Sequence, residues 1–330
     1  MKKALTMVLA ALVAATVFAG GQQEGAKADD GKFAWIIESE DGVLPGVNPL
    51  EVSGDIITAG SSTVFPLSEA MAERFADEGY AFNITVDSIG SGAGFERFCV
   101  AGETDISNAS RPIKDKERTA AAEIGRDPIE FRVGTDALAV TVSKNNTFVK
   151  DVTMEELAKI FTAEKWSDVR SSWPNEKILK FIPGTDSGTF DYFVEEVYDK
   201  DSAALLGASD LQMSEDDNIL VQGISESPYG IGFFGYAYYV ENKDILSVLN
   251  IDGVEPNKAN VDAAAYPLAR PLFIYSDAQI MKSKPQVAAF IAFYLTYVNE
   301  EITRVGYFPA NEIVLDGGKQ AWLKAVEGMY

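Results

Sequence analysis

The chain has 330 residues, 47% of them hydrophobic, enough for a large buried core and for more than one compact unit. Its 28 basic and 50 acidic residues give a formal net charge of −22, which excludes nucleic acid or an anionic membrane surface as a partner held by bulk electrostatics. Histidine is absent, removing His-based acid–base catalysis, Ser-His-Asp triads and the usual zinc sites, and the single Cys99 excludes an intrachain disulfide. The acidity itself reads as a solubility feature. It does not exclude a local anion pocket, because exposed charges are screened over about 8–10 Å at physiological salt.

Met1-Lys2-Lys3 is a basic start, followed by an apolar run from Ala4 to Phe18. Val17-Phe18-Ala19 fits the small-x-small rule, so residues 1–19 read as a signal peptide cleaved after Ala19. Gly20 and Gly21 stand where a lipid-anchored protein needs a Cys, and residues 20–54 read as a leader or linker. No later segment is apolar enough to span a bilayer. The expectation is an exported, periplasmic, soluble protein.

From Asp55 onward short β runs alternate with amphipathic helices. Ile56 to Ala59 reads as a strand, Gly60-Ser61-Ser62-Thr63 as a small-residue loop, and Pro66 as the first turn of a helix striped by Leu67, Ala70, Met71 and Phe75. Phe82 to Val86 alternates as a strand, Gly90-Ser91-Gly92-Ala93-Gly94 is a loop, and Phe95 to Val100 begins a helix. Thr104 to Ala109 leads to a turn at Ser110-Arg111-Pro112. Phe131 to Val133 and Ala137 to Val142 read as two strands. Thr153 and Glu156 form a capping-box pattern ahead of Leu157, Ile160 and Phe161. Lys180-Phe181-Ile182 is a short strand entering Gly184-Thr185-Asp186-Ser187-Gly188-Thr189, after which Phe190, Phe193, Val194 and Val197 trace a helix. The aromatic stretch Phe233 to Tyr239 reads as a core strand and helix start rather than a sugar-stacking platform. Pro285 opens a long helix with Val287, Phe290, Ile291, Tyr294, Leu295 and Val298 on one face. This alternation predicts α/β lobes with mainly parallel sheets.

Three loops share one grammar: rich in Ser, Thr and Gly, each follows a strand and opens a helix. They are Gly60 to Thr63, Gly90 to Gly94 and Gly184 to Thr189. A helix N-terminus leaves backbone N–H groups unpaired and carries partial positive charge, which makes an anion site. Glycine lets the backbone approach closely, and hydroxyls rotate to suit an oxygen. In parallel α/β sheets such loops gather at the carboxyl ends of strands. Taken singly, each Ser or Thr is equally well explained as a helix cap. None of the loops matches the Walker phosphate loop or the dinucleotide fingerprint.

At these residues the sequence resembles the phosphate-binding proteins of Pst-type ABC importers. The resemblance rests on Ala59 to Pro66, Ile89 to Gly94, Asp105 to Pro112, Pro183 to Phe190 and Pro228 to Phe233, in family order. It implies a two-lobed type II periplasmic-binding-protein fold with a two-strand hinge. Lobe I would comprise residues 55–136 plus 267–330, and lobe II residues 137–266. It also implies that inorganic phosphate is dehydrated in the cleft and passed to a membrane permease, with no cofactor, no metal, no catalysis and a monomeric chain. By motif, the ligand contacts fall on Ser62, Thr63, Val64 through its backbone N–H, Phe65, Ser91, Gly92, Ser110, Ser187, Gly188 and Thr189.

Two departures matter. Family members place an Asp in the turn before the Pro, where Ser110 and Arg111 stand, and an Arg before the Ser-Gly-Thr loop, where Ile182, Pro183 and Gly184 stand. Arg111 is therefore taken as the source of positive charge and Asp136 as the acceptor for the ligand's proton. Their plainer readings are a surface Arg in a turn and a hinge-capping carboxylate. Asp186 is read as a loop-stabilising side chain. The competing functions are capture of another tetrahedral oxyanion (sulfate, molybdate or tungstate), a secreted phosphoester hydrolase, and an adhesion or sensory module on the same fold. The lack of His and of a dense Asp cluster argues against the hydrolase.

Overall fold

The structure, a computed structural model, describes residues 34–40, 42–185 and 187–328. The segment read as a signal peptide and residues 20–33 of the leader lie outside the described residues, as does Asp186. No described helix is long and apolar enough to cross a membrane.

One strand, Ile129–Ser143, organises the molecule. Its first half pairs antiparallel with Ala269–Ser276, in the register Asp136 to Arg270 and Ile129 to Ser276. Its second half pairs antiparallel with Gly230–Gly235, in the register Leu138 to Gly235 and Val142 to Ile231. Beyond Ala269–Ser276 the sheet continues through Ile106–Ala109 and Ile56–Gly60 to Ile84–Ser88, the last three mutually parallel. Beyond Gly230–Gly235 it continues through Leu179–Pro183 to Leu211–Ser214, again parallel. Two half-sheets thus share a strand. The fold is the two-lobed α/β periplasmic-binding-protein fold.

The sequence reading split this strand into two around Gly134-Thr135-Asp136. Those residues have turn chemistry, but here they are clamped between Ala269–Ser276 and Phe308–Pro309, and sheet pairing overrides their local preference. Elsewhere the local signals hold. Thr153 Oγ1 accepts from Glu156 N at 3.1 Å and Glu156 returns a bond to Thr153 N at 3.0 Å, completing the capping box. The strand expected over Phe82 to Val86 sits slightly later, at Ile84–Ser88.

Each half-sheet buries its own apolar set. One core joins Met71, Phe75, Phe131, Phe290, Tyr294 and Trp322, with the helices Phe65–Asp77, Pro285–Val305 and Glu312–Ala325 supplying most of it. The other joins Val140, Leu157, Phe161, Trp166, Phe193, Phe233 and Tyr266. Within it, Phe193 and Phe233 stack at 3.8 Å. The aromatic stretch is core in its first part: Phe233 and Phe234 are fully buried on a strand, whereas Tyr236, Tyr238 and Tyr239 are half-buried on the helix Tyr236–Asn242.

The segment read as a linker up to Gly54 is instead folded from Trp35. Ile36–Ile37 and Gly46–Val47 pair as a short hairpin, and Trp35 packs edge-on against Trp322 with ring centroids 6.5 Å apart. Tyr297 donates to a Glu40 carboxylate oxygen at 2.6 Å. Buried aromatic area compensates the entropy of ordering this polar stretch.

Candidate functional site

Strand Ile56–Gly60 ends on a glycine at φ +149°, where a Cβ would lie 2.0 Å from the Asn108 carbonyl oxygen. No other residue fits. The close approach lets Ser61 N donate to that same carbonyl at 2.9 Å. Ser61 Oγ then accepts from Thr63 N at 3.2 Å and, more weakly, from Val64 N at 3.4 Å, while Phe65 N donates to the Ser61 carbonyl at 3.0 Å. Ser61 therefore winds the turn. Ser62 and Thr63 are left lining a cleft of about 660 Å³ between the lobes.

The second loop is tied to the first. Ile89 N and Gly90 N both donate to the Gly60 carbonyl, at 2.9 and 2.8 Å. A Cβ on Gly94 would lie 2.5 Å from Gly60 Cα, so helix Ser91–Cys99 is seated glycine to glycine on the strand end. Gly92 faces open space, and Ser91 Oγ accepts from Ser110 N at 3.1 Å and lies 3.3 Å from Ser110 Oγ. Three strand ends of one lobe thus form a single hydrogen-bonded cradle.

The Ser187-Gly188-Thr189 loop comes from the other lobe. Ser187 caps helix Gly188–Tyr198 by accepting from Thr189 N at 3.2 Å. A Cβ on Gly188 would stand 3.4 Å from Thr63 N and from the Ser62 carbonyl oxygen, so this loop meets the first one across the cleft. Of the sequence-assigned residues, the structure places Ser62, Thr63, Ser91, Gly92, Ser110 and Arg111 on the cleft wall. Gly188 abuts Thr63, with Ser187 and Thr189 flanking it. Val64 is buried behind the wall as the residue that opens helix Phe65–Asp77, and Phe65 has spent its N–H on Ser61.

The charges are arranged differently from the sequence expectation. Arg111 donates twice to Glu117, at 2.9 and 2.7 Å, and lies 5.1 Å from the Phe95 ring centroid. Its guanidinium is committed at the rim. The cation that reaches the loops is Arg270, which the sequence analysis did not single out. It is 8% exposed and donates through Nε to Asp136 at 3.3 Å, through Nη2 to the Thr63 hydroxyl, and through Nη2 to the Gly188 carbonyl at 3.3 Å. One face of the guanidinium covers the Tyr192 ring at 3.6 Å. It is read from the register: Arg270 and Asp136 are cross-strand partners at the hinge.

Asp136 is 1% exposed and sits behind Arg270 rather than on the open wall. Its Oδ2 takes the arginine, while its Oδ1 is buried without a hydrogen-bond partner. Burial pushes its carboxyl above the usual range, against the pull of Arg270 and the Ala137 N–H. Glu117 goes the other way: burial pushes up, but the Arg111 hydrogen bonds and the Lys114 N–H outweigh it and hold the carboxyl low. Chemically, the cleft wall offers hydroxyls, helix N-termini and the Arg270 guanidinium as donors among the carboxylates of Glu96, Glu117, Asp191, Glu195 and Glu196, and Asp136 stands buried behind the guanidinium with one oxygen unpaired. That set suits a small oxyanion carrying a proton. Among the described residues no group of His, Cys, Asp and Glu is placed to hold a metal.

Comparison with known proteins follows the same geometry. A family model described as the PBP superfamily domain matches residues 45–297. The chain is 49% identical to Protein SphX of Synechococcus elongatus over 77% of each chain. It is 37% identical to the phosphate-binding protein PstS of Staphylococcus haemolyticus, over 79% of this chain and 83% of that one. A crystal structure described as a possible phosphate binding protein from Planctomyces limnophilus superposes with a TM-score of 0.79 at 40% identity, covering 84% of this chain and all of the other. With its hinge strands, its cradle of strand-end loops and these relatives, the chain belongs to the PBP superfamily, among the PstS and SphX phosphate-binding proteins.

Proposed function

We propose that this chain captures inorganic phosphate in the cleft between its lobes and delivers it to the membrane permease of an ABC importer. One observation carries the reading: a buried Arg270–Asp136 pair stands where loops of both lobes meet, and one carboxylate oxygen of that pair is buried with no partner. HPO₄²⁻ supplies what the group lacks. Its anionic oxygens take the hydroxyls of Ser62, Thr63, Ser91, Ser110, Ser187 and Thr189, the amides of Gly92 and Gly188, and the guanidinium, while the Val64 and Phe65 amides stay with Ser61. Its proton is donated to Asp136. Arg111 supports the rim through Glu117. Sulfate has no proton and would leave the buried acceptor unpaired, at a cost of about 1–3 kcal/mol or more. Isothermal calorimetry tests this directly. Phosphate should titrate one site, and a large excess of sulfate or molybdate should leave its affinity intact; tight sulfate binding would overturn the phosphate assignment.

The lobes we assign are residues 55–136 with 267–330, and 137–266, joined at Asp136 and near Pro267. The protein works outside the cytoplasm as a monomer, after cleavage behind Ala19, and turns over no substrate. N-terminal mass analysis of exported protein, light scattering, and a phosphatase assay on metal-replete protein check these three statements in turn.

A further inference from the structure

The Arg270 guanidinium is held on two kinds of contact. Its edge meets Asp136, Thr63 and the Gly188 carbonyl. Its face meets the ring of Tyr192, with Cζ 3.6 Å from the ring centroid. Edge contacts aim the N–H groups, but each can be kept while the plane tilts about the bonded atoms. The ring contact fixes the plane. Tyr192 can do this because it is itself immobile: it is 1% exposed and packed in the second core. Gly188 and Tyr192 are also four residues apart on one helix, so the ring stands about one turn behind the helix's first amides.

We propose that Tyr192 is a positioning residue for anion capture, a role that rests on the reading of the cleft as a phosphate site. It touches no ligand atom. It presses the guanidinium into one plane, so the arginine has already lost its rotamer freedom before the anion arrives. The ring and the helix amides belong to one rigid element, and that lobe therefore supplies its donors and the orientation of the hinge arginine together.

The chemistry predicts what can replace the residue. A phenyl ring keeps the π face, whereas leucine or methionine fills space without one. The experiment is phosphate calorimetry on the full chain carrying Tyr192→Phe, Tyr192→Leu or Tyr192→Met, with thermal unfolding of each to identify folded variants. Tyr192→Phe should bind within about twofold of the unsubstituted chain. Tyr192→Leu and Tyr192→Met should bind roughly 10- to 30-fold more weakly, the size of a desolvated cation–π contact. In an Arg270→Lys background, which has no planar group to orient, Tyr192→Leu should cost several-fold less. A folded Tyr192→Met or Tyr192→Leu with unchanged affinity overturns the inference. So does a Tyr192→Phe as weak as Tyr192→Leu, or an equal loss in both arginine backgrounds. If the unsubstituted chain takes no phosphate, the site reading itself falls and the inference with it.

Discussion

The cleft carries two arginine–carboxylate pairs, each with an aromatic ring against the guanidinium, and they differ in nearly every consequence. Arg111 with Glu117 is built within six residues of one turn and helix start, over Phe95, with the arginine side chain 27% exposed. Arg270 with Asp136 is built across two strands 134 residues apart in sequence, over Tyr192, and is almost wholly buried. In the rim pair, attraction outweighs desolvation and Glu117 is held ionised. In the hinge pair, desolvation outweighs attraction and the Asp136 carboxyl is pushed up. A buried pair is costly unless its remaining valences are met. The one with an unmet valence is the one at the junction of the loops. A local pair holds a turn in place, whereas a pair fixed by strand register can wait, uncompensated, for a ligand.

The sharpest way to break this contrast is Arg270→Ala. Losing the buried cation should weaken phosphate binding at least about 100-fold by calorimetry, roughly 2.7 kcal/mol; a loss within threefold would place the anion elsewhere. Asp136→Asn should cost about tenfold in phosphate affinity and narrow the preference over sulfate, because an amide can donate to an oxygen that has no proton. Competition titration reads both numbers, and unchanged selectivity would remove Asp136 as the acceptor. Arg111→Ala should lower phosphate affinity by threefold or less, and a loss rivalling that of Arg270→Ala would return the charge to the turn. The smallest effect is on stability. Glu117→Gln should cost about 1 kcal/mol near neutral pH in denaturant unfolding. Because the folded-state pKa of Glu117 is depressed, its contribution is present above the ordinary glutamate value of about 4.3 and fades as pH falls below it. A stability cost that persisted at pH 2 would show that the pair is not its source.

Much of this molecule is legible in local chemistry. Gly60 and Gly94 stand where backbone must approach backbone and Gly90 where φ is +84°, and Gly60 to Thr63 is read correctly as a strand-end turn because caps and turns act over three or four residues, whereas Ser91 to Gly94, read as loop, already form the first turn of a helix. The helix stripes follow from periodicity for the same reason. Arg270 is not legible in this way. Ala269-Arg270-Pro271-Leu272-Phe273-Ile274 looks like an apolar strand with one stray charge, and nothing nearby says what that charge faces. Its partner is set by a ladder that pairs residues far apart, and a one-residue slip would turn it to the other side of the sheet. The usable signal was a coincidence: an Arg just after one lobe boundary at Pro267 and an Asp at the other, both on chain segments that cross between lobes. Arg111 drew notice through its place beside Ser110, while Glu117, six residues on, already claims it.

The hairpin that carries Trp35 has a mechanical consequence. Through Trp35 and Glu40 it is moored to Trp322 and Tyr297 of helices Glu312–Ala325 and Pro285–Val305. A pull on that hairpin falls on the first lobe. The second lobe is joined to the first through the crossing strands and meets it again at Gly188, away from this anchor. A dye, bead or surface attached at the hairpin would therefore load the first lobe and not the second.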